Sequence, residues 1–178
     1  MITMPHKSTA FNYYATSSET SSLVRSVRVM RRNPNGSWHG DMLDGQAFVK
    51  AQVEVGAALN GVRVLLVGAG SAGAAITIAL LHAGARALRI CDADETRVNE
   101  LIGLAPESFR SRMVFGPTDP GGCDMVCNAT PMGLRSNDPL SVDAAALTPS
   151  MFVGDVISGH GVTPLLQAAC RWSTAFRR

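Results

Sequence analysis

The stretch VLLVGAGSAGAAITIAL, residues 64–80, changes character half-way along. Val64 to Val67 is a short apolar run of the kind a buried strand needs, and from Ser71 onward the run is long enough for a helix. Between them, Gly68-x-Gly70-x-x-Gly73 places three glycines where a strand-to-helix turn can use each one. Gly68 makes the tight turn, Gly70 lets the backbone approach a ligand, and Gly73 lets the helix lie close to the strand. The helix start then offers unpaired N–H groups and a partial positive charge, which suits a pyrophosphate. Ala69, Ser71 and Ala72 fill the turn and join the three glycines as candidate cofactor contacts.

Three glycines also occur in turns of purely structural purpose, so the context has to carry the reading. A second strand is expected over Ala87 to Cys91, and it ends at Asp92. That acid lies 19 residues after Gly73, where a carboxylate meets the adenine ribose hydroxyls of a bound dinucleotide. A carboxylate there accepts hydrogen bonds from a ribose diol and repels a 2′-phosphate, which favours NAD over NADP. Two neighbours complicate the choice: Asp94 serves instead if the strand ends later, and Arg97 brings a cation close. Taken alone, Asp92 reads as a turn acid before Glu95.

Further out, the pattern keeps alternating. Glu95 to Leu104 reads as a helix, and Met113 to Phe115, Asp124 to Asn128 and Met151 to Val156 read as short strands. Thr163 to Cys170 reads as a last helix. Strands alternating with helices imply a parallel sheet covered on both faces, an α/β, Rossmann-like doubly wound architecture. Ahead of the glycine turn the pattern differs. Residues 12–22 are polar and read as a loop or a helix start, Val24 to Met30 alternates imperfectly as a strand would, and Asn33-Pro34-Asn35-Gly36 is a turn signal before a return strand at Trp38 to Gly40. Phe48 to Leu59 carries helical apolar spacing, with Asn60-Gly61 as its stop.

Composition bounds the remaining classes. The 178 residues are 46% hydrophobic and 17% charged, as a folded chain requires. A net charge of +2 gives no reason to expect a nucleic-acid or membrane partner, and the basic end at Arg177 and Arg178 reads as solvated. The apolar run Ala69 to Leu81 is too short to span a bilayer. Cys123 and Cys127 lack a matching second pair, so no metal site is expected. No secretion signal opens the chain, which makes reduced thiols and a cytoplasmic location the expectation.

Four further stretches now fall into place. Thr3-Met4-Pro5-His6-Lys7 is similar to a "T-(I/V)-P-(H/F)-K" motif, and Gly40-Asp41-Met42-Leu43-Asp44-Gly45 to "G-D-N-T-D-G". Asn128-Ala129-Thr130-Pro131-Met132-Gly133 is similar to "N-(A/T)-(T/S)-x-x-G", and Thr163-Pro164-Leu165-Leu166 to "T-P-L-L". In this order and with the glycine turn, the chain resembles the shikimate dehydrogenase family, including its quinate/shikimate relatives. The resemblance implies reversible NAD(P)-dependent hydride transfer between 3-dehydroshikimate and shikimate, or a quinate-like hydroxy acid. It implies a catalytic pair at Lys7 and Asp44, and a loop from Asn128 through Ala129 and Thr130 beside the nicotinamide. A lysine at the reacting oxygen can move the proton that accompanies hydride, and a carboxylate beside it orients the ammonium. Without the resemblance, Lys7 reads as a solvated lysine and Asp44 as a helix N-cap.

The resemblance further implies two parts: residues 1–47 as a partial substrate-binding domain and residues 48–178 as the dinucleotide-binding domain. The chain is expected to begin inside the first part and to stop soon after the T-P-L-L helix, and such truncation would expose strand edges that invite a homo-oligomer. Met42-Leu43 stands where the motif has Asn-Thr, Arg28 where a strand asparagine is usual, and Ser158 where a tyrosine follows Asp155. Each swap is expected to remove a polar group from the substrate side, pointing to a substrate other than shikimate. The alternative reading is a non-catalytic dinucleotide-binding remnant of the family.

Overall fold

A computed structural model of the chain describes residues 1–135, 137–158 and 161–171. Its architecture is organised by one strand, β4 (Arg63–Val67), whose side chains alternate between two cores. Val64 and Leu66 bury on one face of the sheet and Leu65 and Val67 on the other, each 5% exposed or less. A strand apolar on both faces must be covered on both, and each such leucine contributes about 1.5–3 kcal/mol by leaving water.

The first core packs β4 against α4 (Ser71–His82) and α5 (Glu95–Leu104) through Ile76, Leu80, Val98 and Leu101. The second packs it against Val142, Leu147 and Leu165, the last from α7 (Pro164–Cys170). On either side of β4 lie β5 (Ala87–Cys91) and β7 (Met125–Asn128), with β6 (Met113–Phe115) and β8 (Phe152–Asp155) at the edges. The order β6-β5-β4-β7-β8 is parallel throughout, as the alternation of strand and helix requires. Chain direction across the sheet reverses between β4 and β7, and that switch point opens a crevice at the carboxyl ends of both strands.

A smaller three-stranded sheet precedes it. The strand β3 (Trp38–Asp41) runs between β1 (Thr16–Ser17), parallel to it, and β2 (Val29–Arg32), antiparallel. The Asn33–Gly36 turn joins β2 to β3, with Gly36 at φ +81°, a conformation that glycine adopts without a Cβ clash. The strand expected from Val24 starts later. Ser18 caps a helix instead, its Oγ accepting from the N–H of Ser21 at 3.3 Å, and α2 (Glu19–Val24) follows. Val27 is fully buried but lies outside β2.

The helix expected over Phe48 to Leu59 is also displaced. It runs as α3 (Asp44–Glu54) and stops because Gly56 turns into positive φ, so Asn60-Gly61 is not its end and Leu59 buries from the following segment. Gly45 in its first turn lies against α4 so closely that a Cβ would overlap the Ala75 carbonyl. Two short helices, α1 (Lys7–Ala10) and α6 (Glu107–Arg110), lie outside the elements expected from the sequence. Among the described residues no helix is long and apolar enough to cross a membrane. Arg177 and Arg178 lie outside the described residues.

Candidate active site

The glycine turn sits where the crevice opens. Gly68 has φ +103°, and a Cβ there would come within 2.8 Å of Thr130 Cγ2 and 2.9 Å of the Ala129 carbonyl carbon. The turn after β4 and the loop after β7 therefore press together. Gly73 packs so tightly that a Cβ would overlap the Gly68 carbonyl. Gly70 is the opposite case: nothing stands within 4 Å of its missing Cβ, and no side chain caps α4 at that position. An open backbone beside a 12-residue helix whose amino end lacks a side-chain cap fits a pyrophosphate.

Asp92 closes one side of this cradle. Its Oδ2 accepts from the N–H of Ala69 at 2.7 Å and its Oδ1 from the N–H of Asp94 at 2.9 Å. Asp94 caps α5 by accepting from the N–H of Thr96, so it belongs to the helix end. Arg97 reaches both acids, with Nη1 3.8 Å from Asp92 Oδ1 and Nε 3.5 Å from Asp94 Oδ2.

Behind the loop after β7 lies a buried network. Asn128 is fully buried; its Nδ2 donates to the Met132 carbonyl and to Asp155 Oδ1, each at 3.0 Å. Its Oδ1 accepts from the N–H and the hydroxyl of Thr130. Asp155 Oδ2 in turn accepts from Thr163 Oγ1 at 2.7 Å, and Thr163 caps α7. Asn128 thus stands behind the cleft wall and shapes the loop that Ala129 and Thr130 present.

Across the cleft, Lys7 Nζ donates to Asp44 Oδ2 in a hydrogen-bonded ion pair. Lys7 is only 8% exposed, and a buried ammonium persists only with such a partner. Its carbonyl also accepts from the N–H of Val27 at 3.1 Å, which fixes α1 against the residues before β2. Asp44 is the first residue of α3 rather than its cap, since Leu43 holds that position and makes no side-chain capping bond. The carboxylate thus profits from the helix amino end while aiming at Lys7.

These pieces face one cleft of about 860 Å³. Lys7, Asp44, Gly68, Gly70, Ser71, Ala72, Asp92, Ala129 and Thr130 line it, whereas Ala69, Gly73 and Asn128 support the wall from behind. Arg28, Arg97, Asp155 and Ser158 line it as well. One of the expected losses of polarity is absent. Arg28 places a guanidinium at the cleft, its Nε 3.5 Å from Asp44 Oδ1, and Met42 is 1% exposed in the core rather than at the cleft. Asp155 and Thr163 were legible only as motif letters; their hydrogen bonds join segments that sequence spacing does not connect.

The parallel sheet, its glycine turn and the cleft at the switch point define a Rossmann-like α/β protein. The shikimate dehydrogenase resemblance carried by the motifs holds across nearly the whole chain. A shikimate dehydrogenase (NADP(+)) of Rubrobacter xylanophilus is 32% identical over 174 residues, which cover 96% of this chain and 61% of that protein. Quinate dehydrogenase from Corynebacterium glutamicum, solved in complex with NAD, superposes with a TM-score of 0.82 at 29% identity, over 96% of this chain and 62% of the other. The ligand-free 5-ketofructose reductase of a Gluconobacter strain superposes with a TM-score of 0.79 at 26% identity, over 95% and 62%. The chain therefore spans about three-fifths of the length of the proteins it matches. No protein-family model matches it.

Proposed function

We propose that the chain is an NAD(P)-dependent oxidoreductase of the shikimate dehydrogenase kind, interconverting a hydroxyl and a ketone on a small hydroxy acid. The observation that carries the proposal is the Lys7–Asp44 ion pair on the same cleft as the glycine turn. Residues 1–47 act as the partial substrate-binding part and residues 48–178 as the dinucleotide-binding part, the boundary falling within α3. The proposed setting is the cytoplasm.

The turn from Gly68 to Gly73 would hold the pyrophosphate, Asp92 the adenine ribose, and Ala129 and Thr130 the nicotinamide side. When bound, the nicotinamide supplies or takes up the hydride. In the reducing direction Lys7 donates its proton to the ketone oxygen as the carbon gains hydride, giving the alcohol and leaving a neutral amine that solvent reprotonates. Asp44 holds the ammonium in line and returns it to position afterwards. NAD is the favoured cofactor: a 2′-phosphate would meet the Asp92 carboxylate, with Asp94 beside it, against Arg97 as the one nearby cation among the described residues.

Calorimetric titration of the purified chain with NAD and with NADP, with and without shikimate or quinate, tests this. Tighter binding of NAD, strengthened by one of the acids, is the expected result. Cofactor binding indifferent to both acids supports a dinucleotide-binding remnant, and no cofactor binding overturns the reading altogether.

A further inference from the structure

Among the described residues, Arg28 is the cation beside Asp44 that the proton-transfer scheme does not use. Its main chain is fixed on both sides: its N–H donates to the Asp41 carbonyl at 2.8 Å, and its carbonyl accepts from the N–H of Ile2 at 2.7 Å. The guanidinium therefore starts from a rigid stem. Its Nε is the atom that approaches Asp44, at 3.5 Å from Oδ1, while the other oxygen of that carboxylate accepts the hydrogen bond from Lys7. Neither terminal nitrogen of Arg28 makes a hydrogen bond among the described residues, and the side chain is 30% exposed on the cleft wall.

One carboxylate thus faces two cations. Lys7, Arg28 and Asp44 together carry a net positive charge at the reacting end, and two parallel N–H donors of a planar guanidinium remain to be matched. The partner with that shape and charge is a carboxylate, whose two oxygens accept both bonds of the fork. Lys7 and Arg28 approach opposite oxygens of the one Asp44 carboxylate, so an anion on Arg28 and a hydroxyl on Lys7 can belong to one small substrate.

We propose, resting on the dehydrogenase reading, that Arg28 is a specificity-determining residue that binds the carboxylate of a small hydroxy-acid substrate. The substrate class is then a small hydroxy acid and its oxo acid, held by the carboxylate. The reaction itself is unchanged: the carbinol C–H bond breaks as hydride leaves for the oxidised nicotinamide, the hydroxyl proton passes to Lys7 in its neutral amine form, regenerating the ammonium, and the oxo acid departs with its carboxylate intact.

The test uses the full chain and small probes. Lactate and 3-hydroxybutyrate, each with its neutral amide, and inorganic phosphate are titrated calorimetrically with and without saturating NADH. The same set is repeated on Arg28→Gln and Arg28→Lys, with thermal melts and NADH affinity as controls. The expected result is binding of at least one acid with its amide at least tenfold weaker, a preference that Arg28→Gln abolishes and Arg28→Lys retains in part. NADH affinity should be the same in all three proteins. If Arg28→Gln fails to fold, the acid-over-amide preference of the parent chain and its reduction in Arg28→Lys decide the matter. Equal binding of acid and amide, an acid preference that survives in Arg28→Gln, no binding of either acid, or tighter binding of phosphate than of both acids each overturns the assignment. Loss of NADH binding by the parent chain sinks the dehydrogenase reading separately, because the acid titrations without NADH still report on Arg28.

Discussion

Asp92 Oδ2 accepts a hydrogen bond from the N–H of Ala69 at 2.7 Å, so the acid proposed to read the ribose also braces the glycine turn. The two roles separate by substitution. Asp92→Asn keeps an oxygen for Ala69 and removes the charge, so the ratio of NAD to NADP affinity should fall while total cofactor binding survives. Asp92→Ala loses the brace too and should weaken both cofactors. An unchanged affinity ratio in both variants would exclude Asp92 as the ribose acid.

The glycines of the turn make opposite demands. At Gly70 an added methyl meets open space, so Gly70→Ala should cost less than about 0.5 kcal/mol of stability, as substitutions away from packed features do. The same methyl narrows the phosphate cradle, and NAD affinity should drop at least tenfold. At Gly73 the methyl meets the Gly68 carbonyl, and Gly73→Ala should cost about 1–3 kcal/mol through overpacking. Chemical denaturation beside NAD titration reads both effects, and equal behaviour of the two variants would contradict the assignment.

Removing the Lys7 ammonium leaves Asp44 paired with Arg28, so the cleft keeps a cation and the fold should tolerate the change. Lys7→Ala should lower turnover of any substrate by about 10²–10⁴-fold, the usual contribution of a positioned proton donor. NAD affinity should stay the same. Steady-state rates and cofactor titration on one preparation check this, and undiminished turnover would remove Lys7 from the mechanism.

These outcomes depend on features that were unequally legible in the sequence. The strand–turn–helix of residues 64–80 was readable because a glycine pattern and an apolar run carry their own structural instruction. The α5 helix was read to its observed ends because Asp94 caps it locally. The start of α3 was not readable, because Asp44 is drawn to Lys7, 37 residues away, and Leu43 occupies the cap position without capping. Arg28 was visible as a substitution, but its place beside Asp44 depends on how β2 and α3 meet, which no local pattern encodes. Likewise Asn128 looked like a cleft residue from its motif, and only the fold shows its amide turned to Asp155 and Met132.

Burial makes Asn128 expensive to lose. Asn128→Ala would leave the Thr130 N–H and hydroxyl and the Met132 carbonyl short of a partner. The expected loss is roughly 1–3 kcal/mol in a denaturant melt, together with weaker NAD binding as the loop relaxes. Unaltered stability would show that the network is dispensable.

Arg63 pairs with Asp124 through its main-chain N–H at 2.8 Å and its guanidinium at 3.2 Å, joining the starts of β4 and β7. The hydrogen bonds from Arg63 hold the Asp124 carboxyl below its ordinary range. A carboxyl depressed by folding stabilises the protein above its unfolded pKa, about 3.9, and that contribution disappears as pH falls through the folded value. The difference in stability between the parent chain and Asp124→Asn should therefore be present at pH 7 and close below about pH 4. Both groups are solvent-exposed, so the difference will be small. Urea melts across pH 3–7, with the parent always the more stable above pH 5, would bear this out.

The close seat of Gly45 on the backbone of Ala75 carries a mechanical consequence. The acid at the start of α3 and the phosphate-facing start of α4 move as one block, because no side chain intervenes to act as a spring between them. Lys7 and Arg28 ride instead on the smaller sheet and the segment threaded beside it. A hinge that widens the cleft would then have to part Lys7 and Arg28 from Asp44 and the Ser8 hydroxyl from Ser71, so the proposed proton donor and its acid partner are also among the contacts that hold the cleft shut.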